Sequence, residues 1–209
     1  RLGLLIASAL LGIAVMAVIF IVSERTLITQ ERQSGVRQTV EVALGIVVHF
    51  HDQVSKGKLT EAEGKQRAME TIKALRYSGD EYFWITDMQP KTVMHPIKPE
   101  LDGQDMSASK DADGKHMFVE FANIVKANGS GFVPYLWPKP GSEKPVQKIS
   151  YVKGFAPWGW IVGSGVYMDS VDAAIAGRAL SFSVEFVVLL ILLLVVGVLI
   201  TRGLLQQLG

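Results

Sequence analysis

Residues 2–22 contain no charged side chain. A helix rises about 1.5 Å per residue, so such a run crosses a hydrocarbon layer about 30 Å thick. A secretory leader has a shorter apolar core and a small-x-small cleavage site. This run ends Ile21-Val22-Ser23-Glu24, which is a poor cleavage site, and it reads as an uncleaved helix. A second run, 180–201, is wholly apolar over 186–200. Its Glu185 lies near the outer end, where a carboxylate reaches the interface. Arg1 and Arg202 stand at the outer ends of the two runs. The positive-inside rule then puts both termini in the cytoplasm and residues 23–179 outside.

Charge is distributed to match. The chain has 21 Lys+Arg and 20 Asp+Glu, and all but Arg1, Arg202 and Glu185 lie in 23–179, which is therefore neutral. A chain that is 49% hydrophobic is not disordered. The lack of a basic excess argues against a nucleic-acid partner. With no Cys there are no disulfides, Cys-ligated zinc or iron–sulfur sites, or thiol catalysis. Two spans are too few for a pore or transporter in one chain. The layout suits a protein that reads the outside and reports inward.

The exported segment has two textures. Val36, Val40, Ala43, Val47 and Val54 recur at helical spacing, which predicts a helix continuing from the first span to about Ser55. Lys56-Gly57-Lys58 breaks it. Thr60 and Glu63 form a capping-box pattern, so a second helix starts there. It runs to about Arg76, with Ala68, Ile72 and Leu75 on one face. After Ser78-Gly79-Asp80 come most of the aromatic residues, all four Trp and all eight Pro. Strands are predicted at 82–87, 92–95, 131–137, 147–152 and 160–166, with a hairpin turn at Pro138-Lys139-Pro140-Gly141-Ser142. A short helix over 115–128, with Asp113 as its cap, buries Phe118, Phe121, Ala122 and Val125. From 168 the pattern is helical again and runs into the second span. The fold class is α+β: about five antiparallel strands with long N-terminal helices.

Six motifs carry a family resemblance. They are Tyr82-Phe83-Trp84-Ile85-Thr86-Asp87, Met94-His95-Pro96-Ile97-Lys98-Pro99-Glu100-Leu101-Asp102-Gly103, Asp111-Ala112-Asp113-Gly114-Lys115, Tyr135-Leu136-Trp137-Pro138-Lys139-Pro140-Gly141, Lys148-Ile149-Ser150-Tyr151-Val152 and Trp158-Gly159-Trp160-Ile161-Val162-Gly163-Ser164-Gly165-Val166-Tyr167. In this order, over residues 25–172, the chain resembles the single-Cache (type 2) sensor domain of bacterial chemoreceptors. The resemblance implies a PAS-like periplasmic domain on an inner-membrane, two-pass, homodimeric receptor that binds small organic acids. It also implies that residues 202–209 begin a HAMP linker, with the signalling module of the receptor lying beyond this chain.

Candidate site residues follow from chemistry and from the resemblance together. A buried carboxylate needs a cation and hydrogen-bond donors inside an apolar pocket. Strand alternation puts Tyr82, Trp84 and Thr86 on one face, Tyr135 and Trp137 on one face, and Lys148 with Ser150 on one face. Lys148 is either a solvated edge-strand lysine or the counter-ion of the ligand, and the resemblance favours the second. Tyr82, Trp84, Tyr135 and Trp137 are either pocket walls or plain core aromatics. His95, ending a strand before Pro96, is a candidate donor. Arg76 either clamps a carboxylate or caps its helix. Tyr151, on the opposite face of its strand, completes the expected ligand set.

Other patterns lead nowhere. His49 and His51 are two apart on a helix, cannot share a metal, and read as surface residues. Asp111-Ala112-Asp113-Gly114 begins like a calcium loop, but the twelfth position is Ala122. Gly163-Ser164-Gly165 lacks the spacing of a nucleophile elbow. No catalytic, metal or cofactor site is expected. The expected ligand is acetate, propionate, pyruvate or lactate. A C4 dicarboxylate of the malate type is the first alternative, and a Cache sensor on a histidine kinase or diguanylate cyclase the second.

Overall fold

The computed structural model describes residues 2–169 and, beyond them, 171–173, 175–181, 183–185, 187–188, 191 and 195. Within it the stripe Val36, Val40, Ala43 and Val47 is the fully buried face of α1 (Leu2–Ser55). The helix ends where the sequence predicts. Gly57 takes φ +68°, and its N–H turns back to the Val54 carbonyl at 2.9 Å. Thr60 then caps α2 (Glu61–Ala74) with both halves of the capping box: Thr60 Oγ1 accepts from the Glu63 N–H, and Glu63 Oε2 accepts from the Thr60 N–H at 2.8 Å. The second helix stops at Ala74, two residues short of Arg76.

All five strands form, each within a few residues of its expected bounds: β1 (Phe83–Asp87), β2 (Thr92–Met94), β3 (Ser130–Pro138), β4 (Pro145–Phe155) and β5 (Trp160–Tyr167). They make one antiparallel sheet in the order β2-β1-β5-β4-β3. The β3–β4 hairpin turns where the prolines and Gly141 (φ +75°) allow it. Between β2 and β3, which are opposite edges of the sheet, the chain must cross the sheet. That crossover carries α3 (Met117–Asn128). The cap of α3 is His116 with no side-chain bond, not Asp113. Asp111 organises the turn instead: Oδ1 accepts from the N–H groups of Asp113 and Lys115, and Oδ2 from Leu136 on β3. The predicted cap was displaced because Asp111, two residues earlier, closes the Asx turn.

The two faces of the sheet bury different things. On one, Phe83, Ile85, Met94, Tyr151, Trp160 and Val162 pack on the stripe of α1 and on Ala68 and Ile72 of α2. His51 belongs to this layer. It is half-buried against Phe155 and Trp158 at 5.3 and 5.7 Å, so the surface assignment is corrected. On the other face, Tyr82, Trp84, Val133, Tyr135, Val152 and Ile161 meet Met117, Phe118, Phe121, Ala122 and Val125 of α3.

The chain divides into two compact units, Leu27–Asp169 and a second made of Arg1–Thr26 with Ser170–Gly209. The second unit is joined by Arg25 to Asp172 at 3.2 Å and Arg178 to Glu24 at 2.6 Å. Its apolar side chains face outward: Leu11, Met16, Val18, Ile19, Leu180, Val184 and Ile191 are all more than half exposed. Among the described residues one helix, Leu11–Ser55, is long and apolar enough to cross a membrane. Much of the expected second span, 180–201, and all of the expected linker start, 202–209, lie outside the described residues.

Gly163 on β5 faces Trp84 across the strand pair, and a Cβ there would stand 2.6 and 2.7 Å from two indole carbons. Only a glycine leaves room for the ring. Gly163→Ala is therefore expected to destabilise the domain by about 1–3 kcal/mol and to displace Trp84. Urea unfolding followed by tryptophan emission checks both.

Candidate functional site

The crossover does not fill the second face completely. Trp84, His95, Phe118, Phe121, Tyr135 and Trp137 line a small, partly open pocket. Ring neighbours form its wall. Trp84 meets Phe121 at 5.9 Å, Phe121 meets Tyr135 at 5.3 Å, Tyr135 meets Trp137 at 6.2 Å, and Trp137 meets His95 at 5.9 Å. Tyr82 completes the circuit, 5.2 Å from His95 and 6.2 Å from Trp84.

Lys148 stands behind Tyr82. It lies on β4, an interior strand, and is fully buried, so it is not a solvated edge-strand lysine. Among the described residues no carboxylate forms an ion pair with it. Its ammonium sits in an aromatic cage instead, 4.2 Å from the Tyr82 ring centroid, 4.4 Å from Tyr167 and 5.3 Å from Trp84. It donates to the Tyr167 hydroxyl at 3.3 Å, and that hydroxyl donates onward to the Pro138 carbonyl at 2.9 Å. Ring quadrupoles offset only part of the lost hydration of an ammonium. Burial accordingly pulls the Lys148 pKa down to about 7, against the opposing pull of the Glu81 charge. Glu81 is half-buried just before β1, and its Oε2 is buried without a partner. Burial pushes its carboxyl up, although Lys148, Lys139 and Arg32 oppose this.

The pocket offers oriented donors. His95 Nδ1 accepts from the N–H groups of Ile97 (3.3 Å) and Lys98 (3.0 Å). An imidazole nitrogen that accepts carries no proton, so the ring proton is on Nε2 and that edge is a donor. Burial, with the charges of Lys148 and Lys98, lowers the His95 pKa to about 3, so the ring is neutral at ordinary pH. Trp84 Nε1 is buried with no partner. Trp137 Nε1 donates to the Tyr82 hydroxyl at 3.1 Å, and the Tyr135 hydroxyl bonds Ser150 Oγ at 3.0 Å. The site thus pairs an incompletely compensated cation with neutral donors in an aromatic wall. It contains no general base beside a nucleophile, and among the described residues no cluster could hold a metal.

Six of the eight expected site residues lie on this face: Tyr82, Trp84, His95, Tyr135, Trp137 and Lys148. Two do not. Arg76 is exposed and donates to the carbonyls of Lys73 and Leu75 at 2.9 and 2.7 Å, the helix-capping alternative. Tyr151 lies on the helix-facing side, stacked on Phe132 at 4.9 Å and bonded to Ser130 Oγ. Alternation from Lys148 forbids any other placement. The site also recruits Phe118 and Phe121, read from sequence as an ordinary buried helix face, and Tyr167 and Glu81. Tyr167 was findable, because counting by twos from Gly163 and Gly165 puts it on the pocket face. Glu81 gave no signal.

Replacing Lys148 by Met removes the buried charge and keeps an unbranched side chain one atom shorter. Between pH 7 and the unfolded value of 10.5 the unfolded chain holds a proton that the folded one has released. The contribution of Lys148 to stability therefore rises with pH across that window. Lys148→Met is expected to melt higher than wild type at pH 6, with the difference shrinking steadily towards pH 10. Melting temperatures of both proteins across that range test it.

Comparisons with known proteins identify the family. The model of a family described as Single Cache domain 2 matches residues 28–180. The chain is 37% identical over 208 residues to methyl-accepting chemotaxis protein McpP of Pseudomonas putida, a match covering 100% of this chain and 38% of McpP. It therefore spans less than half the length of that relative. A solved periplasmic sensor domain of a chemotaxis protein is 52% identical, with TM-score 0.66, over 66% of this chain and 96% of that one. A second solved structure, described as the structural basis for carboxylic acid recognition by a Cache chemosensory domain, is 45% identical with TM-score 0.65. It covers 67% of this chain and 95% of its own.

Proposed function

The chain belongs to the single Cache domain 2 family, and we propose that its periplasmic sensor unit binds one small monocarboxylate of the acetate, propionate, pyruvate or lactate type in the aromatic pocket. The unit is a ligand-binding sensor of chemoreceptor type, not an enzyme. The observation that carries the ligand reading is Lys148, a buried ammonium without an ion pair near a pocket whose Trp84 Nε1–H has no partner. A carboxylate supplies the missing counter-charge. Its second oxygen takes the His95 Nε2–H or the Trp84 Nε1–H, and its short alkyl end lies against Phe118 and Phe121. One buried cation matches one carboxylate, which favours monocarboxylates over malate-type acids.

In this reading the receptor is a two-pass inner-membrane homodimer with both termini in the cytoplasm. Occupancy changes the relation of the crossover to the sheet. The chain leaves the sheet at Tyr167, beside Lys148, and is helical from residue 168 onward among the described residues, leading to the second apolar run. Ligand signals only to the extent that it prefers one of two arrangements of that segment.

Calorimetry on the chain in detergent micelles tests this with sodium salts of C2–C4 acids. A monocarboxylate is expected to release heat and raise the melting temperature, and Lys148→Met to abolish both effects. Binding needs the ammonium form, and the free site has a pKa of about 7. Affinity should therefore fall steadily above pH 7, and binding there should take up a proton, seen as a dependence of the heat on buffer ionisation enthalpy. If no acid of this size shifts the melt, direct sensing is wrong.

A further inference from the structure

Five of the six lining side chains are buried: Trp84, His95, Phe118, Phe121 and Tyr135. Trp137 alone is half-exposed, so the pocket meets solvent at its indole. Tyr82 holds the Nε1 of that ring. Over the ring sits a second cation, with Lys98 Nζ 5.0 Å from the indole centroid. Lys98 is half-buried, and among the described residues no acidic group forms an ion pair with it. Its backbone is fixed independently. The Lys98 N–H donates to His95 Nδ1, and the His95 N–H donates to Asp102 Oδ1 at 2.7 Å. One residue therefore fixes the tautomer of a pocket donor with its main chain and places a positive charge at the mouth with its side chain.

We propose that Lys98 is the entry cation of the site, drawing small anions over Trp137 and into the pocket without contacting them once bound. This rests on the carboxylate reading above. The exported segment is neutral as a whole, so its surface as a unit gives no long-range attraction for an acid, and local charge at the mouth must supply it. Charge at a rim acts through space and is screened by salt, whereas a bound contact is not. Lys98 Nζ lies over the half-exposed Trp137 ring at the mouth, whereas Lys148, fully buried against the Tyr82 ring, is the inner counter-charge of the carboxylate reading.

The experiment is calorimetric titration of acetate, propionate, pyruvate and lactate into the chain in nanodiscs, for wild type, Lys98→Gln and Lys98→Arg. Each is run at about 0.02 M and about 0.5 M salt, with the melting temperature of every variant recorded. Glutamine keeps the backbone N–H that holds His95. The expected result is binding to Lys98→Gln weakened about threefold at low salt and equal to wild type at high salt, with Lys98→Arg like wild type throughout. Equal affinities at low salt overturn the proposal. So does a loss that persists at high salt, which would make Lys98 a direct contact or a support of the fold. If wild type binds none of the four acids, the carboxylate reading itself fails and takes this inference with it.

Discussion

A lysine ammonium inside a sheet, with aromatic rings for neighbours and no ion pair, is the constraint around which this domain is arranged. An unpaired ion in such surroundings costs several kcal/mol, and folded domains have little stability to spare. Three features reduce the cost here. Tyr82, Tyr167 and Trp84 turn ring faces towards the charge. The Tyr167 hydroxyl accepts from it. The Glu81 carboxyl, when ionised, opposes the effect of burial on that charge from within electrostatic reach. None of these removes the cost, and the remainder is what a carboxylate can relieve. In the carboxylate reading, binding energy is therefore stored before the ligand arrives.

Strand order makes that possible. With β2 and β3 at opposite edges, the chain between them has to pass over one face, while α1 and α2 seal the other. The helical face packs completely, with Val40, Ala43, Val47, Ala68 and Ile72 fully buried. The crossover face carries wide rings on both sides, and Gly163 is needed to seat one of them. Rings meeting edge to face leave gaps that aliphatic side chains would have filled.

Period and punctuation made most of this legible in the sequence. The α1 stripe, the Thr60–Glu63 cap, five strands and the α3 face were all readable. Alternation correctly separated Tyr82 and Trp84 from Phe83 and Ile85. The failures share a cause. Alternation states which residues share a face but not which face is hollow, so Tyr151 stayed in the expected ligand set although alternation already put it on the face opposite Lys148. Helical period marked Phe118 and Phe121 as buried without showing that a void lay beneath them. Strand order is a long-range property, so nothing local distinguished Lys148 on an interior strand from a lysine on an edge. Arg76 lies in sequence between a helix and a sheet, and its geometry resolved to the nearer partner, its own helix end. Lys98 and Glu81 act through space, and a linear pattern does not record that.

The crossover has a consequence for how such receptors diversify. The rings that shape the ligand space at Phe118 and Phe121, and the imidazole donor at His95, lie on the chain between two edge strands. In the carboxylate reading proposed above, the cation that would pair the ligand, Lys148, lies on β4. In that reading the cation lies on one stretch of the gene, while three of the six lining side chains, His95, Phe118 and Phe121, lie on another. Recombination or drift within residues 95–129 can retune which acid is read while the sheet keeps both its buried ammonium and its connection to the segment beyond Tyr167.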